Sequence, residues 1–307
     1  MTSVCITGVT SFTGCWIARH FAEHGWTTFG FCSKPQGRYE GLQQKRLSMI
    51  ENSVEIHFSL PAEGDALKDW IQHHKPDCWI HHHHYMSNYR SNDYDWNEFE
   101  RTCLLPLEGL VAELATNGCR GIIYSGTFFE PSEGGSDRPT PTLYGQSKWV
   151  VWQKLQHLCH ERKLLLSKVV IPDPVGPLEN QDRLIPTLID KARRGELFEL
   201  RQPMAIGDHL PVFELATVYH ELGKTLLAGN GRIVRPSGWR GTNHDWIAVI
   251  NSELIVSRLG FRRVDINAIG GTAQDVVAGY ENPISEAIAI DWRRLWDRYQ
   301  QFSLVER

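Results

Sequence analysis

The feature that most constrains the fold of this sequence is a glycine-containing turn between a short strand pattern and a helix pattern. Residues 3–9 form a β-prone run, and the helical periodicity of residues 12–24 ends at a glycine. The turn between them reads Thr7-Gly8-Val9-Thr10-Ser11-Phe12-Thr13-Gly14. Gly8 permits a tight turn, Gly14 lets the helix approach the strand closely, and backbone amides at the helix start can face a pyrophosphate. The segment therefore predicts a dinucleotide-binding turn with these contact residues: Gly8, Thr10, Ser11, Phe12, Thr13 and Gly14.

Ser11 stands in this turn at the position where a middle glycine is most common. A serine side chain is small enough to fit there, and its hydroxyl can itself donate to a phosphate. An ordinary strand-to-helix turn that holds no ligand is the alternative at this point.

The end of the second predicted strand indicates which dinucleotide the turn would hold. A carboxylate there would accept hydrogen bonds from the adenosine ribose and repel a 2′-phosphate. This chain has Ser33 and Lys34 after the strand, Arg38 close behind, and no carboxylate in residues 32–38. NADP is therefore favoured over NAD. NAD stays the alternative, because both cations are also ordinary in a solvated loop.

Strand and helix patterns alternate through the first half of the chain. After the turn, strand patterns lie at residues 27–32, 54–58, 78–81, 121–125 and 164–171. A helix or a long connection separates each from the next, which implies parallel strands. The pattern predicts an α/β fold of Rossmann type, a doubly wound parallel sheet, with a smaller C-terminal substrate lobe. We assign residues 1–172 to the dinucleotide-binding domain, with a return at 206–240, and residues 173–205 and 241–307 to the lobe.

Composition restricts the partners of such a fold. The net charge of the 307 residues is −4 and no long Lys/Arg run occurs, which argues against nucleic acid and an anionic membrane as partners. No apolar stretch approaches the roughly 20 residues that span a bilayer, so we expect a cytoplasmic protein with a small-molecule substrate. The seven cysteines are scattered without a C-x-x-C pair, and we expect them to be reduced and mostly buried.

A tyrosine and a lysine four residues apart, Tyr144 and Lys148, begin a predicted helix and therefore share one face of it. A phenol has an ordinary pKa of about 10, so it needs an adjacent cation to exchange protons at neutral pH. Lys148 supplies that cation and can also bond a cofactor ribose. Thr127, just past the fifth strand, would reach the same substrate oxygen. These three residues are the predicted catalytic residues.

The sequence at this point resembles the extended short-chain dehydrogenase/reductase family, the group of sugar-nucleotide epimerases, dehydratases and reductases. The resemblance rests on residues 7–14, 122–127, 144–148 and 184–212. It implies hydride transfer between a nicotinamide and a sugar carbon, with Tyr144 exchanging the hydroxyl proton and Thr127 orienting the substrate. It also implies a nucleotide-sugar ligand and a homodimer formed by the helices at 104–117 and 144–162. Candidate substrate contacts are Tyr89, Asp173, Arg183 and Arg235.

Two departures from the family pattern narrow the chemistry. Dehydratases of the family carry an acidic pair directly after the strand-end threonine; this chain has Phe128 and Phe129, which disfavours dehydration, although Glu130 is near. The fourth strand of the family ends in a histidine and small residues; this chain has four consecutive histidines, of which His81 is the expected cofactor contact. At most two of the four can share a strand face, so no metal site is expected.

The sequence thus predicts an enzyme, namely an NADPH-dependent reductase of a keto-sugar nucleotide that acts at C4 with Tyr144 as proton donor. The alternative is a nucleotide-sugar 4-epimerase that retains NAD and returns the hydride to the opposite face. A non-catalytic NAD(P)-binding regulatory protein is the least favoured interpretation, because such a protein has no need of Tyr144 and Lys148 together.

Overall fold

The structure is a computed structural model, and it describes residues 1–61, 64–89, 93–131, 133, 142–269 and 286–305. The chain divides into two compact units. The first comprises the described residues of 1–134, 139–171 and 215–236, and the second comprises those of 172–214 and 237–307.

Within the described residues the strands are β1 (Ser3–Thr7), β2 (Thr27–Phe31), β3 (Glu55–His57), β4 (Cys78–His81), β5 (Gly121–Thr127), β6 (Leu165–Ile171), β7 (Asp173–Val175), β8 (Phe198–Leu200), β9 (Ile206–Pro211), β10 (Ile233–Val234), β11 (Pro236–Ser237), β12 (Trp239–Thr242), β13 (Ile266–Ala268) and β14 (Glu286–Ala287). The α-helices are α1 (Phe12–Glu23), α2 (Gly41–Ile50), α3 (Asp65–His74), α4 (Trp96–Phe99), α5 (Leu107–Thr116), α6 (Leu143–Arg162), α7 (Leu184–Arg194), α8 (Val212–Leu227), α9 (Asn243–Ile250) and α10 (Trp292–Val305). A 3₁₀ turn lies at Gln36–Arg38, and π-helical turns lie at Glu100–Leu104 and Asn251–Val256.

The described part of the first unit is built on a parallel sheet with the strand order β10-β6-β5-β4-β1-β2-β3. The order changes direction at β1, which has β2 on one side and β4 on the other. In sheets of this kind, ligands bind outside the carboxyl ends of the strands at such a reversal. The predicted doubly wound fold is confirmed.

Helices cover the sheet, so its central strands are apolar along their whole length rather than in alternation. All seven residues of β5 are buried. On one side, α3, α5 and α6 supply a continuous apolar core that includes Trp152 and Leu155. Burial of each such side chain contributes about 1.5–3 kcal/mol. Trp149 and Val150 on the same helix are half-buried, and the homodimer expected through this helix stays a prediction.

The second unit contains a three-stranded sheet of β12, β9 and β7 and two strand pairs, β8 with β13 and β11 with β14. The carboxylate of Asp208 on β9 accepts hydrogen bonds from the Ser237 hydroxyl (2.8 Å) and the Gly238 N–H (2.6 Å). The sequence placed residues 206–240 in the first domain, whereas the chain returns to the first unit only for 215–236. The return is shorter because β9 pairs with β7 and β12.

Among the described helices, none combines the length and apolar character needed to cross a membrane.

Candidate functional site

The glycine-containing turn joins β1 to α1 with little free space around either glycine. Gly8 has φ +72°, and a Cβ there would lie 3.1 Å from the Cα of His83. A Cβ on Gly14 would lie 2.4 Å from the carbonyl oxygen of Gly8. Ser11 is the N-cap of α1, because its hydroxyl accepts the Gly14 N–H at 3.0 Å. Both glycines are therefore required for the path of the backbone.

The start of α1 offers hydrogen-bond donors to an anion. The Ser11 N–H donates to the Gly8 carbonyl at 3.0 Å, but the N–H groups of Phe12 and Thr13 have no acceptor in the described part of the chain. Such groups and the helix dipole attract a negatively charged ligand. The turn thus fits the pyrophosphate of a dinucleotide. The carbonyl of Thr10 faces the buried guanidinium of Arg46 at 3.2 Å.

The histidine that contacts this turn is His82 rather than His81. Nε2 of His82 lies 2.8 Å from Thr13 Oγ1 and 3.1 Å from Ser11 Oγ. His81 is buried in β4 with its ring 6.1 Å from that of Tyr124, and neither ring nitrogen has a partner among the described residues. Adjacent side chains at a strand end face opposite ways, which separates the two rings. We therefore replace His81 by His82 in the candidate cofactor site.

The fourth histidine of the run contacts α6, the helix that carries Tyr144 and Lys148. Nε2 of His84 lies 2.8 Å from Ser147 Oγ, and that hydroxyl donates to the carbonyl of Tyr144 at 2.8 Å. The His84 ring also lies edge-on to the Tyr144 ring, with 5.6 Å between centres. Across the described positions, no three His, Cys, Asp or Glu side chains are arranged to hold a metal ion.

Tyr144 and Lys148 lie in the first two turns of α6, which begins where Thr142 accepts the Gly145 N–H at 3.0 Å. Lys148 Nζ donates to the carbonyl of Ser125 on β5 at 2.9 Å and lies 6.0 Å from the centre of the Tyr144 ring. Burial lowers the pKa of Lys148 to about 8 and raises the pKa of Tyr144 above its ordinary value. At neutral pH the site therefore contains a protonated phenol with a lysine cation nearby.

The end of β5 packs directly against the start of α6. A Cβ on Gly145 would lie 2.1 Å from the carbonyl oxygen of Phe129, so only glycine allows this approach. Thr127 is buried, and its hydroxyl oxygen accepts the Phe129 N–H at 3.4 Å. The structure thus brings the element that carries Thr127 beside the element that carries Tyr144 and Lys148.

A buried group of charges lies behind this junction. Lys168 on β6 has no exposed side-chain surface and donates to Glu130 Oε2 at 2.7 Å and Glu133 Oε1 at 2.8 Å. The other Glu130 oxygen accepts the Thr127 N–H at 2.8 Å. Burial raises the pKa of Glu130, with Lys168 opposing the shift. Glu130 is thus held by the strand-end turn, in an ion pair that we call the Glu130–Lys168 pair.

The three residues expected to select the cofactor lie in the loop after β2. Ser33, Lys34 and Arg38 are all exposed, and neither cation forms an ion pair within the described chain. The backbone N–H of Lys34 donates to the buried hydroxyl of Tyr39 at 2.9 Å, which fixes the start of the loop. This arrangement leaves both cations accessible to an anionic ligand.

One of the predicted substrate contacts lies beside Tyr144. The ring of Tyr89 is 5.5 Å from the ring of Tyr144. Arg235, by contrast, has its guanidinium bound to the carboxylate of Glu133, with Nε at 2.6 Å. The ion pair neutralises the buried carboxylate of Glu133, and a substrate contact of Arg235 stays a prediction.

The other two predicted substrate contacts belong to the second unit. Arg183 donates through Nε to Glu179 at 3.1 Å and through Nη2 to the carbonyl of Pro174 at 3.1 Å. Asp173 opens β7, in register with His209 of β9. The Glu179 carboxylate also accepts the Tyr299 hydroxyl of α10, so Arg183 is part of the contact between α10 and the loop before α7.

Several polar residues of the site did not stand out in the sequence: His82, Ser125, Lys168 and Tyr219, whose hydroxyl donates to Ser125 Oγ at 2.6 Å. His82 was inside a conspicuous histidine run, but the run alone does not tell which ring faces the turn. Lys168 carries a signal of its own, since a lysine in the middle of a mostly apolar strand needs a buried partner.

The sequence model of the NAD dependent epimerase/dehydratase family matches residues 4–225 of the 307. The chain belongs to this family. The match begins in β1, covers the turn, the end of β5 and the pair of Tyr144 and Lys148, and ends within α8. The family resemblance stated from the sequence is confirmed.

Solved structures share the fold of this protein over its whole length. UDP-glucose-4-epimerase from Stenotrophomonas maltophila, with bound NAD and formylated UDP-arabinopyranose, is 13% identical with a TM-score of 0.77, covering 100% of this chain and 99% of its own. UDP-N-acetylglucosamine 4-epimerase from Methanobrevibacter ruminantium M1, in complex with UDP-N-acetylmuramic acid, is 13% identical with a TM-score of 0.75 and the same coverage. UDP-glucuronic acid 4-epimerase from Bacillus cereus, in complex with UDP-glucuronic acid and NAD, is 12% identical with a TM-score of 0.74, covering 100% of both chains. A search of curated protein sequences finds no match.

Proposed function

We propose that this member of the NAD dependent epimerase/dehydratase family is a nucleotide-sugar 4-epimerase that retains NAD. The observation that carries the proposal is the position of Tyr144 and Lys148 on α6, where Lys148 binds the carbonyl of Ser125 beside the end of β5. The similar structures support it, because they are 4-epimerases of UDP-sugars over their full lengths, two of them with NAD. This support favours the alternative drawn from the sequence over the keto-sugar reductase.

Bound NAD supplies reversible hydride uptake from a sugar carbon. The residues that would hold it are those of the turn from Gly8 to Gly14, with His82 behind them and Lys148 at the other end of the site. In the proposed epimerase Tyr144 would accept the proton of the sugar hydroxyl as hydride leaves that carbon, and would return the proton to the oxygen when the hydride comes back. Burial raises the pKa of Tyr144, so the phenolate that accepts the proton needs a neighbouring cation. Lys148 supplies it, because an adjacent cation favours the charged form of an acid.

The Glu130–Lys168 pair bears on the choice between epimerisation and water elimination. Elimination needs an acid and a base free to move protons at the sugar. Glu130 is the nearest carboxylate to Thr127 along the chain, and both of its oxygens are already bound, to Lys168 and to the Thr127 N–H. This arrangement disfavours a dehydratase.

One observation favours a second candidate, the NADPH-dependent reductase of a keto-sugar nucleotide. Lys34 and Arg38 are exposed in the loop after β2, where a 2′-phosphate would be met, and residues 32–38 contain no carboxylate. A reductase consumes NADPH stoichiometrically, whereas an epimerase leaves the total of its cofactor unchanged.

The test is conversion of UDP-glucose, UDP-N-acetylglucosamine and UDP-glucuronic acid, followed by chromatography, without added cofactor and with NAD or NADPH. We expect interconversion of the C4 epimers with no net cofactor consumption. Tyr144→Phe and Lys148→Met should each reduce the rate by about 100-fold or more, because each removes part of the proton-transfer pair. Lys154→Met is the matched control, since Lys154 lies on the same helix, is partly exposed and, in the described part of the chain, forms an ion pair with Glu108 at 4.0 Å.

Two results would contradict the epimerase. Oxidation of one NADPH per reduced 4-keto sugar nucleotide, without epimer exchange, would establish the reductase. Tight binding of a dinucleotide with no turnover of any of these substrates, and unchanged binding in Tyr144→Phe, would indicate a regulatory protein.

A further inference from the structure

A buried chain of hydrogen bonds in the first unit is centred on His82, which is 9% exposed. Its Nδ1 lies 2.7 Å from Ser125 Oγ, and that hydroxyl accepts a hydrogen bond from the Tyr219 hydroxyl of α8 at 2.6 Å. Its Nε2 lies 2.8 Å from Thr13 Oγ1, with the longer contact of 3.1 Å to Ser11 Oγ. These hydrogen bonds therefore connect Tyr219 of α8, through Ser125 of β5 and His82 just after β4, to the first turn of α1.

The chemistry of its members fixes which atom donates at each step. Burial lowers the pKa of His82 to about 3, so the ring is neutral at pH 7 and only one nitrogen carries a hydrogen. Ser125 Oγ accepts from Tyr219, and the acceptor within reach of its own hydrogen in the described chain is His82 Nδ1. Nε2 then carries the ring hydrogen and donates it to Thr13 Oγ1.

A hydroxyl that accepts such a hydrogen bond keeps its own hydrogen for another acceptor. Within the described residues Thr13 Oγ1 has no acceptor for that hydrogen, and the N–H groups of Phe12 and Thr13 beside it are also without one. Three donors are thus concentrated at the N-terminus of α1. The Ser11 hydroxyl oxygen accepts the Gly14 N–H as the helix cap and by the same rule keeps its own hydrogen, so it is a further donor at this end of α1.

We infer that His82 is a positioning residue that makes the Thr13 hydroxyl a hydrogen-bond donor to the pyrophosphate of the bound dinucleotide. The inference rests on the proposed function in that it requires a dinucleotide at the turn. It also connects two departures of this sequence, because Ser11 at the middle position of the turn and the histidine at position 82 contact each other at 3.1 Å. The hydrogen bonds that join Tyr219, Ser125, His82 and Thr13 are buried, so their effect depends on these particular side chains.

The test is the dissociation constant for NAD and for NADP, measured by titration calorimetry on the whole protein. Thr13→Val removes the hydroxyl at nearly constant shape, and His82→Phe removes both ring nitrogens. Each should weaken binding about 10-fold, the size of one hydrogen bond to a charged group. Thr13→Ser and His82→Gln keep a donor and an acceptor in place and should bind within about 3-fold of the wild type, since the hydrogen bond is retained.

The combined variant separates this role from a merely structural one. If His82 acts through Thr13, then Thr13→Val/His82→Phe should bind no more weakly than Thr13→Val alone, because residues that act as one unit are not additive. Thr28→Val is the matched control: Thr28 is buried in β2, and its hydroxyl donates to the carbonyl of Trp26, away from the turn. Its affinity for NAD should equal that of the wild type.

Several results would overturn the inference. These are wild-type affinity in folded Thr13→Val, additive losses in the combined variant, failure of the two conservative variants to restore binding, or no dinucleotide binding by the wild type. Epimerase activity is a separate readout. A protein that follows the binding pattern above but converts no nucleotide sugar would refute the proposed function and leave the role of His82 standing.

Discussion

Replacing Lys168 by methionine should destabilise the protein strongly, although Lys168 touches neither the turn nor the predicted catalytic residues. The ammonium group has no exposed surface and holds two carboxylates, those of Glu130 at 2.7 Å and Glu133 at 2.8 Å. Glu133 would keep the guanidinium of Arg235, with Nε at 2.6 Å. Glu130 would keep only the Thr127 N–H, so a buried charge would lose its cation.

The size of the effect follows from this geometry. Removing one partner of a buried ion pair costs about 3–5 kcal/mol, because the remaining charge stays desolvated. Methionine fills much of the same volume and Glu130 can take up a proton, so we expect about 3 kcal/mol at pH 8. The loss of stability arises from the ionised Glu130 carboxylate, whose pKa in the folded variant would be raised further. It is therefore full at high pH and shrinks as the pH falls through that raised pKa.

The measurement is urea unfolding followed by tryptophan fluorescence, for wild type and variant, at pH 8 and pH 5.5. Lys224→Met is the control, since Lys224 is 55% exposed and pairs with Glu221 on the surface, where such pairs contribute within about 1 kcal/mol. Lys168→Met/Glu130→Gln should recover part of the loss, because no ionised Glu130 is left. The reasoning is refuted if Lys168→Met is no less stable than Lys224→Met, or if its deficit grows at the lower pH.

Three other predictions concern the same unit and the buried histidines. Gly126→Ala should cost about 1–3 kcal/mol in urea unfolding, because its Cβ would lie 2.4 Å from Lys168 Cε. Thr127→Ala should lower the epimerisation rate about 10-fold or more while Thr127→Ser retains it, since only the hydroxyl is proposed to orient the substrate; equal rates for both would remove Thr127 from the site. Burial lowers the pKa of His82 and of His209 to about 3. Each therefore stabilises the fold fully above pH 6.5 and loses about 2 kcal/mol of that contribution by pH 5, which an unfolding series over this range would measure.

Features carried by contiguous or regularly spaced residues were readable from the sequence. The turn at Gly8 to Gly14 joins a strand pattern to a helix pattern, and both elements form as predicted, as β1 and α1. Alternation of apolar runs and helices predicted the doubly wound sheet, because each parallel strand needs a crossover to return. The spacing of Tyr144 and Lys148 placed both side chains on one face of α6, since four residues make about one helical turn.

Other features depended on contacts between residues far apart in the chain. The position of β9 in the second unit follows from its pairing with β7 and β12. No local pattern in residues 206–211 predicts these pairing partners. The pairs Glu130 with Lys168 and Glu133 with Arg235 join residues 38 and 102 positions apart. They place the Glu130 carboxylate and the Arg235 guanidinium in ion pairs.

The sequence by itself determined the glycine-containing turn between β1 and α1, the fold class and the placement of Tyr144 and Lys148 on one face of α6, because each is encoded in local order and periodicity. Only the tertiary structure decided that His82 rather than His81 faces the turn, since a shift of one residue at a strand end reverses the side-chain direction. It also decided that the Ser11 hydroxyl caps α1 and contacts His82. Hydrogen bonds between separate strands and helices depend on register and packing, which arise only when the whole sheet has formed.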